Sequence, residues 1–189
     1  MNIIFIRHSK SLVNPDVPIA TWALSDEGVD LAKKLKKVLG VKSIEVIYSS
    51  LQPKALETAI LATKDLGIPI RTHKDLTEST SFTNKFVNLQ QLEENTREYY
   101  KNPDLSINNG ETSKEAVLRF NTAINEIVRI EKGRKVIGIV SHGSILADFS
   151  AQYFDKSAYE IVHKMGQPDI AEFNFEKKEF AKFFGEISF

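Results

Sequence analysis

Two of the chain's four histidines sit at matched positions. His8 closes the apolar run Ile3 to Ile6 as Arg7-His8-Ser9, and His142 closes Val136 to Val140 as Ser141-His142-Gly143. Short, continuous apolar runs of this kind predict strands covered on both faces. Open α/β sheets bind ligands outside the carboxyl ends of their strands, so two histidines far apart in sequence can meet there. An imidazole beside an arginine, facing a second imidazole, suits attack on a phosphoryl group whose negative charge the cations offset. The chain has no cysteine. That excludes disulfides, thiolate zinc sites and cysteine-nucleophile phosphatases, and makes histidine the nucleophile to consider.

The elements that must position these residues follow from the pattern. After Asn2 to Ile6 comes a polar loop with Pro15 and Pro18. Ser25 then offers a helix N-cap, Asp26 and Glu27 fill the first turn, and Val29, Ala32, Leu35 and Leu39 recur at helical spacing until Gly40. Lys33, Lys34, Lys36 and Lys37 fall on the opposite, solvated face and carry no function in this reading. Ile44 to Tyr48 predicts a second strand, Pro53 the first turn of a helix running to about Leu66, and Ile68 to Thr72 a short extended piece. From 79 to 110 no strand pattern appears. Phe82, Phe86, Leu89, Leu92, Tyr99 and Tyr100 keep a weak helical rhythm, and the segment reads as a lid-like insertion. An amphipathic helix follows through Ala116, Phe120, Ile124, Ile127 and Val128, then the strand Val136 to Val140 and a helix after Gly143. Alternation over Ile170 to Phe175, a charged turn at Glu176 to Lys178 and a return at Phe180 to Phe184 predict a closing hairpin.

At 189 residues, with 42% apolar and 26% charged residues, the chain suits one globular domain over 1–189. Lys plus Arg and Asp plus Glu each total 25, so no global positive field is available for nucleic acid or an anionic membrane surface. No apolar run approaches membrane-spanning length, and the expected compartment is the cytoplasm.

Arg7-His8-Ser9-Lys10-Ser11 with Asn14 resembles the Arg-His-Gly opening of the histidine phosphatase superfamily, the phosphoglycerate mutase-like fold. Leu24-Ser25-Asp26-Glu27-Gly28 resembles its first-helix entry, Tyr48-Ser49-Ser50 through Lys54-Ala55 and Thr58-Ala59 its second strand and helix, and Leu76-Thr77-Glu78 its acid segment. Gly110-Glu111-Thr112 and Ser141-His142-Gly143 complete the order. The resemblance implies a three-layer α/β/α sandwich with a mainly parallel sheet and a C-terminal antiparallel hairpin. It implies phosphoryl transfer through a phosphohistidine on His8, with Arg7, Ser11, Asn14, Lys54 and His142 holding the phosphate and Glu78 as proton donor, and neither metal nor cofactor. Ser9 stands where the family has glycine, adding a side chain that either narrows the site or donates a hydrogen bond. Lys54 stands where the family has arginine, keeping the charge but losing the planar fork.

The expected activity is that of a metal-independent phosphoric monoester hydrolase of the histidine acid phosphatase type, acting on a small phosphorylated substrate. Two alternatives stand beside it: a phosphoglycerate mutase-type phosphotransferase, and a weakened phospholigand-binding protein. Neither nucleic acid nor membrane is an expected partner, and a homodimer is the expected form of any self-association. His73, between Arg71 and Lys74, reads as a solvated loop histidine and His163 as structural.

Overall fold

The N-terminal apolar run forms β1 (Asn2–Arg7), and successive side chains leave it toward opposite faces. Ile3 and Phe5 enter one hydrophobic cluster and Ile4 and Ile6 another, so β1 is covered on both sides. In this computed structural model, which describes residues 1–40, 42–83 and 88–186, β1 belongs to a six-stranded sheet of order β3-β2-β4-β1-β5-β6. The other strands are β2 (Ile47–Ser49), β3 (Ile70–Thr72), β4 (Val136–Ser141), β5 (Asp169–Asn174) and β6 (Glu179–Lys182). β1 runs parallel to β4, and β2 runs parallel to both β3 and β4. β5 is antiparallel to β1 and to β6, which is the hairpin expected from the C-terminal alternation.

Helices cover both faces. α1 (Asp26–Gly40) and α2 (Pro53–Thr63) bury Leu35, Leu39, Ala55 and Ala59 against Ile4 and Ile6. On the other face α4 (Ser113–Ile130), α5 (Gly143–Ala151) and α6 (Ala158–Lys164) enclose an aromatic core. Phe5 lies 5.0 Å from Phe149 and 6.0 Å from Phe173, centroid to centroid, in tilted pairs. α4 and α6 each start with a capping box, Thr112 with Glu115 and Ser157 with Glu160, which satisfies the amide groups that a helix start leaves open. Ser25 caps α1 by accepting the Gly28 N–H at 3.0 Å.

Several details differ from the sequence reading, among them the start of β3 at Ile70 in place of Ile68. β2 begins at Ile47, not Ile44, because Ile44 to Val46 approach β4 through isolated bonds, Glu45 N–H to Val136 O and Gly138 N–H to Val46 O. α2 stops at Thr63 because Asp65 and Gly67 adopt positive φ, which a helix cannot include. Within the 79–110 segment a helix α3 (Leu89–Lys101) forms, capped by Asn88 and anchored by the buried Tyr99. Phe86 and the rest of 84–87 lie outside the described residues. No helix among the described residues is long and apolar enough to cross a membrane.

Candidate active site

The register of the two central strands brings the histidines together. Arg7 pairs with Ser141 across β1 and β4, and the His8 N–H donates to Ser141 O at 2.9 Å, so His8 and His142 leave the sheet side by side. Their ring centroids are 5.1 Å apart. The His8 Nδ1 lies 2.7 Å from the carbonyl oxygen of Ser9. A carbonyl can only accept, so this contact places the proton on Nδ1 and the lone pair on Nε2. Burial, with Lys54 and then Arg7 nearby, holds the His8 imidazole well below its ordinary pKa, which keeps it neutral at pH 7. The site thus holds a neutral imidazole with Nε2 free to act as a base or nucleophile.

Ser50 Oγ accepts the Gln52 N–H at 3.2 Å and lies 2.8 Å from His142 Nε2, an arrangement in which the hydroxyl proton can go to the ring and the ring's own proton is then carried on Nδ1. Burial, followed by the neighbouring His8, Lys54, Arg119 and Arg7, also lowers the His142 pKa well below the ordinary value. His142 Nδ1 is buried without a hydrogen-bond partner, and so is Arg7 Nε. Buried donors left in that state cost about 1–3 kcal/mol each, which an anion accepting from them would recover.

Three cation and carboxylate placements complete the geometry. The Arg7 guanidinium donates through Nη1 to Met165 O at 2.9 Å and Gly166 O at 3.2 Å, turning its other edge free. It lies against Gly143, where an added Cβ would stand 2.9 Å from both Nε and Nη2, so a larger residue at the start of α5 must displace the guanidinium. Lys54, in the first turn of α2, is buried and donates to Ile19 O at 2.8 Å with its ammonium 5.9 Å over the Trp22 ring. Burial brings its pKa down to about 8, with Glu78 acting in the opposite sense. Glu78 receives N–H groups from Ser79 at 2.9 Å and from Ser144 and Ile145, both at 3.0 Å, which seats it over the first turn of α5.

Arg7, His8, Ser11, Lys54 and Glu78 line one cavity of about 510 Å³. His142 is buried behind it, against the His8 ring. Asn14 is not brought there: its Oδ1 accepts the Asp16 N–H at 3.0 Å, an Asx turn that keeps the side chain on its own exposed loop. Ser9 does not enter the cavity either. Its hydroxyl donates to Gly28 O at 2.7 Å, and its N–H donates to Thr58 Oγ1, so the residue that departs from the expected glycine ties β1 to α1 and α2. His73 is a loop residue outside the cavity, with Nδ1 accepting the Asp75 N–H. His163, read as structural, also lines the cavity from α6. Gln167, whose amide nitrogen lies 3.3 Å from His8 Nδ1, and the cavity residues Ile19 and Trp22 carried no sequence signal. Among the described residues no three potential metal ligands converge.

Paired histidines with an arginine and a lysine at the carboxyl edge of a mainly parallel sheet define a phosphate-handling α/β site. The chain belongs to the histidine phosphatase superfamily (branch 1), whose family model matches residues 3–181. Similar solved structures include a mycobacterial glucosyl-3-phosphoglycerate phosphatase at 19% identity and TM-score 0.76, covering 99% of each chain. YhfR of Bacillus stearothermophilus is 21% identical with TM-score 0.79, over 99% of this chain and 98% of that one. A mutant phosphoserine phosphatase from Entamoeba histolytica, in complex with phosphoserine, is 18% identical with TM-score 0.76, over 97% and 96%. No curated protein matches the chain in sequence. At these identities the structural likeness shows the fold.

Proposed function

We propose that the protein is a metal-independent phosphatase that hydrolyses small phosphomonoesters through a phosphohistidine on His8. The observation that carries this reading is the His8 tautomer: Nδ1–H is held by Ser9 O, and the neutral ring keeps its Nε2 lone pair among cationic neighbours. Nε2 attacks phosphorus, the bond to the leaving oxygen breaks, and Glu78 supplies that oxygen's proton. Water then attacks the phosphohistidine, giving its proton to Glu78, and inorganic phosphate leaves with His8 restored. Charge on the transferring group spreads over three equatorial oxygens, so most of the catalysis is electrostatic positioning. Arg7 offers its free edge, His142 the Nδ1–H, Lys54 its ammonium and Ser11 its hydroxyl; Asn14 has no part in this set. These side chains supply the positive field that a metal supplies in other phosphatases.

Rapid quench of wild-type protein with phosphate-labelled substrate is expected to trap a base-stable, acid-labile label that His8→Ala lacks. Equal labelling of His8→Ala overturns the nucleophile assignment. Binding of phosphate without label or turnover favours the phospholigand-binding alternative.

A further inference from the structure

A phosphoryl group fills only part of a cavity of about 510 Å³, so most of the space is left for whatever the phosphate is attached to. Among the described residues, the wall beyond the phosphate-facing groups is made chiefly of Ile19, Trp22, Phe82, Leu89, Leu92 and Val162. Several polar side chains of that wall are already engaged with protein partners. Glu93 on α3 accepts the Tyr159 hydroxyl through Oε1 at 2.6 Å and His163 Nε2 through Oε2 at 2.9 Å. His163 Nδ1 meets Tyr159 O at 2.7 Å, so both ring nitrogens face protein acceptors, one of them the Glu93 carboxylate. The Thr96 hydroxyl donates to Leu92 O at 2.7 Å, and the Gln167 amide nitrogen donates to Ser9 O at 3.4 Å.

A sugar, glycerate or amino acid entering this space sets several hydroxyl, carboxylate or ammonium groups against a wall that, among the described residues, is mostly apolar and offers them little beyond the Ser144 hydroxyl and the Gln167 amide oxygen. Each ligand polar group buried without a partner is disfavoured, and several on one ligand add up to a substantial preference against it. An apolar body meets no such penalty and gains from burial. The wall also continues outward as apolar surface, with Val13 55% and Leu89 74% exposed at the cavity's edge.

We propose that the site selects phosphomonoesters whose leaving group is an uncharged apolar body, and that the wall contributed by α3 and α6 sets this preference. The inference rests on the phosphatase reading and names its substrate class.

Octyl phosphate, propyl phosphate and glycerol 3-phosphate test it, because all three are unactivated primary alkyl esters and differ mainly in what the cavity must bury. The expected kcat/KM for octyl phosphate exceeds that for glycerol 3-phosphate at least 30-fold, with propyl phosphate between them. Leu92→Asn is expected to lower the octyl-to-propyl ratio at least fivefold, and Val162→Asn provides the same comparison from α6 if the first variant does not fold. Comparable values for octyl and glycerol 3-phosphate, or a ratio unmoved by either folded variant, overturn the apolar assignment and leave the phosphatase reading standing. Failure to hydrolyse any of the three esters overturns both.

Discussion

Single side chains decide the charge state of the phosphate end, and Lys54 is the one whose charge changes within an accessible pH range. Its ammonium is favoured below about 8 and lost above it, because burial disfavours the charged form. If it binds phosphate, kcat/KM falls as pH rises through about 8, that profile reporting groups of the free enzyme. Lys54→Arg keeps its charge at every working pH and is expected to remove the alkaline limb. Lys54→Ala is expected to lose about 2–4 kcal/mol of transition-state stabilisation, comparable to one preorganised donor. A wild-type limb that persists unchanged in Lys54→Arg assigns it to another group. Ser9 supplies the contrasting expectation. Its hydroxyl is spent on Gly28 O, away from the cavity, so Ser9→Gly leaves kcat/KM within about threefold while denaturant unfolding registers a loss of about 1–2 kcal/mol from the missing bond and the freer backbone. A large kinetic change with intact stability contradicts that placement.

At the scale of elements, α5 is the piece on which the site is assembled. Its first residue is Gly143, against which Arg7 lies, and its first amides hold Glu78. Gly143→Ala favours the helix by propensity yet displaces the guanidinium, so the expected result is a protein of near-normal stability whose kcat/KM drops at least about tenfold. Unchanged kinetics would mean that Arg7 moves freely and is not a positioned ligand. The elements carrying this arrangement were readable to different degrees. β1 and β4 stood out because strands buried on both faces are continuous apolar runs, and α1 because its stripe is regular. α3 was faint since Tyr99 is its only buried residue among mostly polar ones. β2 was displaced by three residues because Ile44 and Val46, on either side of Glu45, are apolar and the segment bonds to β4 without forming a regular ladder. His8, His142 and Lys54 were legible as strand-end and helix-start residues, and Glu78 through the family resemblance of Leu76-Thr77-Glu78. Asn14 stays on its loop because a two-residue turn captures its side chain, and the position of His163 on the cavity wall had no sequence signal because its partner Glu93 lies 70 positions away on another helix.

For the molecule as a whole, the buried titratable groups set how stability responds to pH, and they pull in opposite directions. His8 and His142 have depressed pKa values, so the unfolded chain binds more protons near and below pH 6.5 and stability rises as pH increases through that range. His163 has the opposite sign. Its pKa is raised through Glu93 and the Tyr159 carbonyl, so its contribution is complete below about 6.5 and fades above, though with a side chain 40% exposed the effect is small. The largest opposing group is Asp148 on α5. Its Oδ1 accepts the Ser113 hydroxyl at 2.7 Å, its Oδ2 is buried without a partner, and burial pushes its pKa up to about 8, with the Glu78 charge adding to the rise. Between about pH 4 and pH 8 the folded protein therefore holds a proton that the unfolded chain has released, and stability drops by up to about 1.4 kcal/mol per pH unit on this account alone. Asp148→Asn keeps the shape, needs no proton, and can accept from Ser113. Its stability relative to wild type is expected to grow from pH 5 to pH 8 and then level off, because the wild-type carboxyl ionises in both states above that point. Urea unfolding of both proteins at pH 5, 6.5, 8 and 9 measures the difference directly, with the histidine contributions cancelling. A difference that stays constant across the four values shows that Asp148 is ionised in the fold throughout, held by a donor on Oδ2 that the packing around α5 would then have to supply.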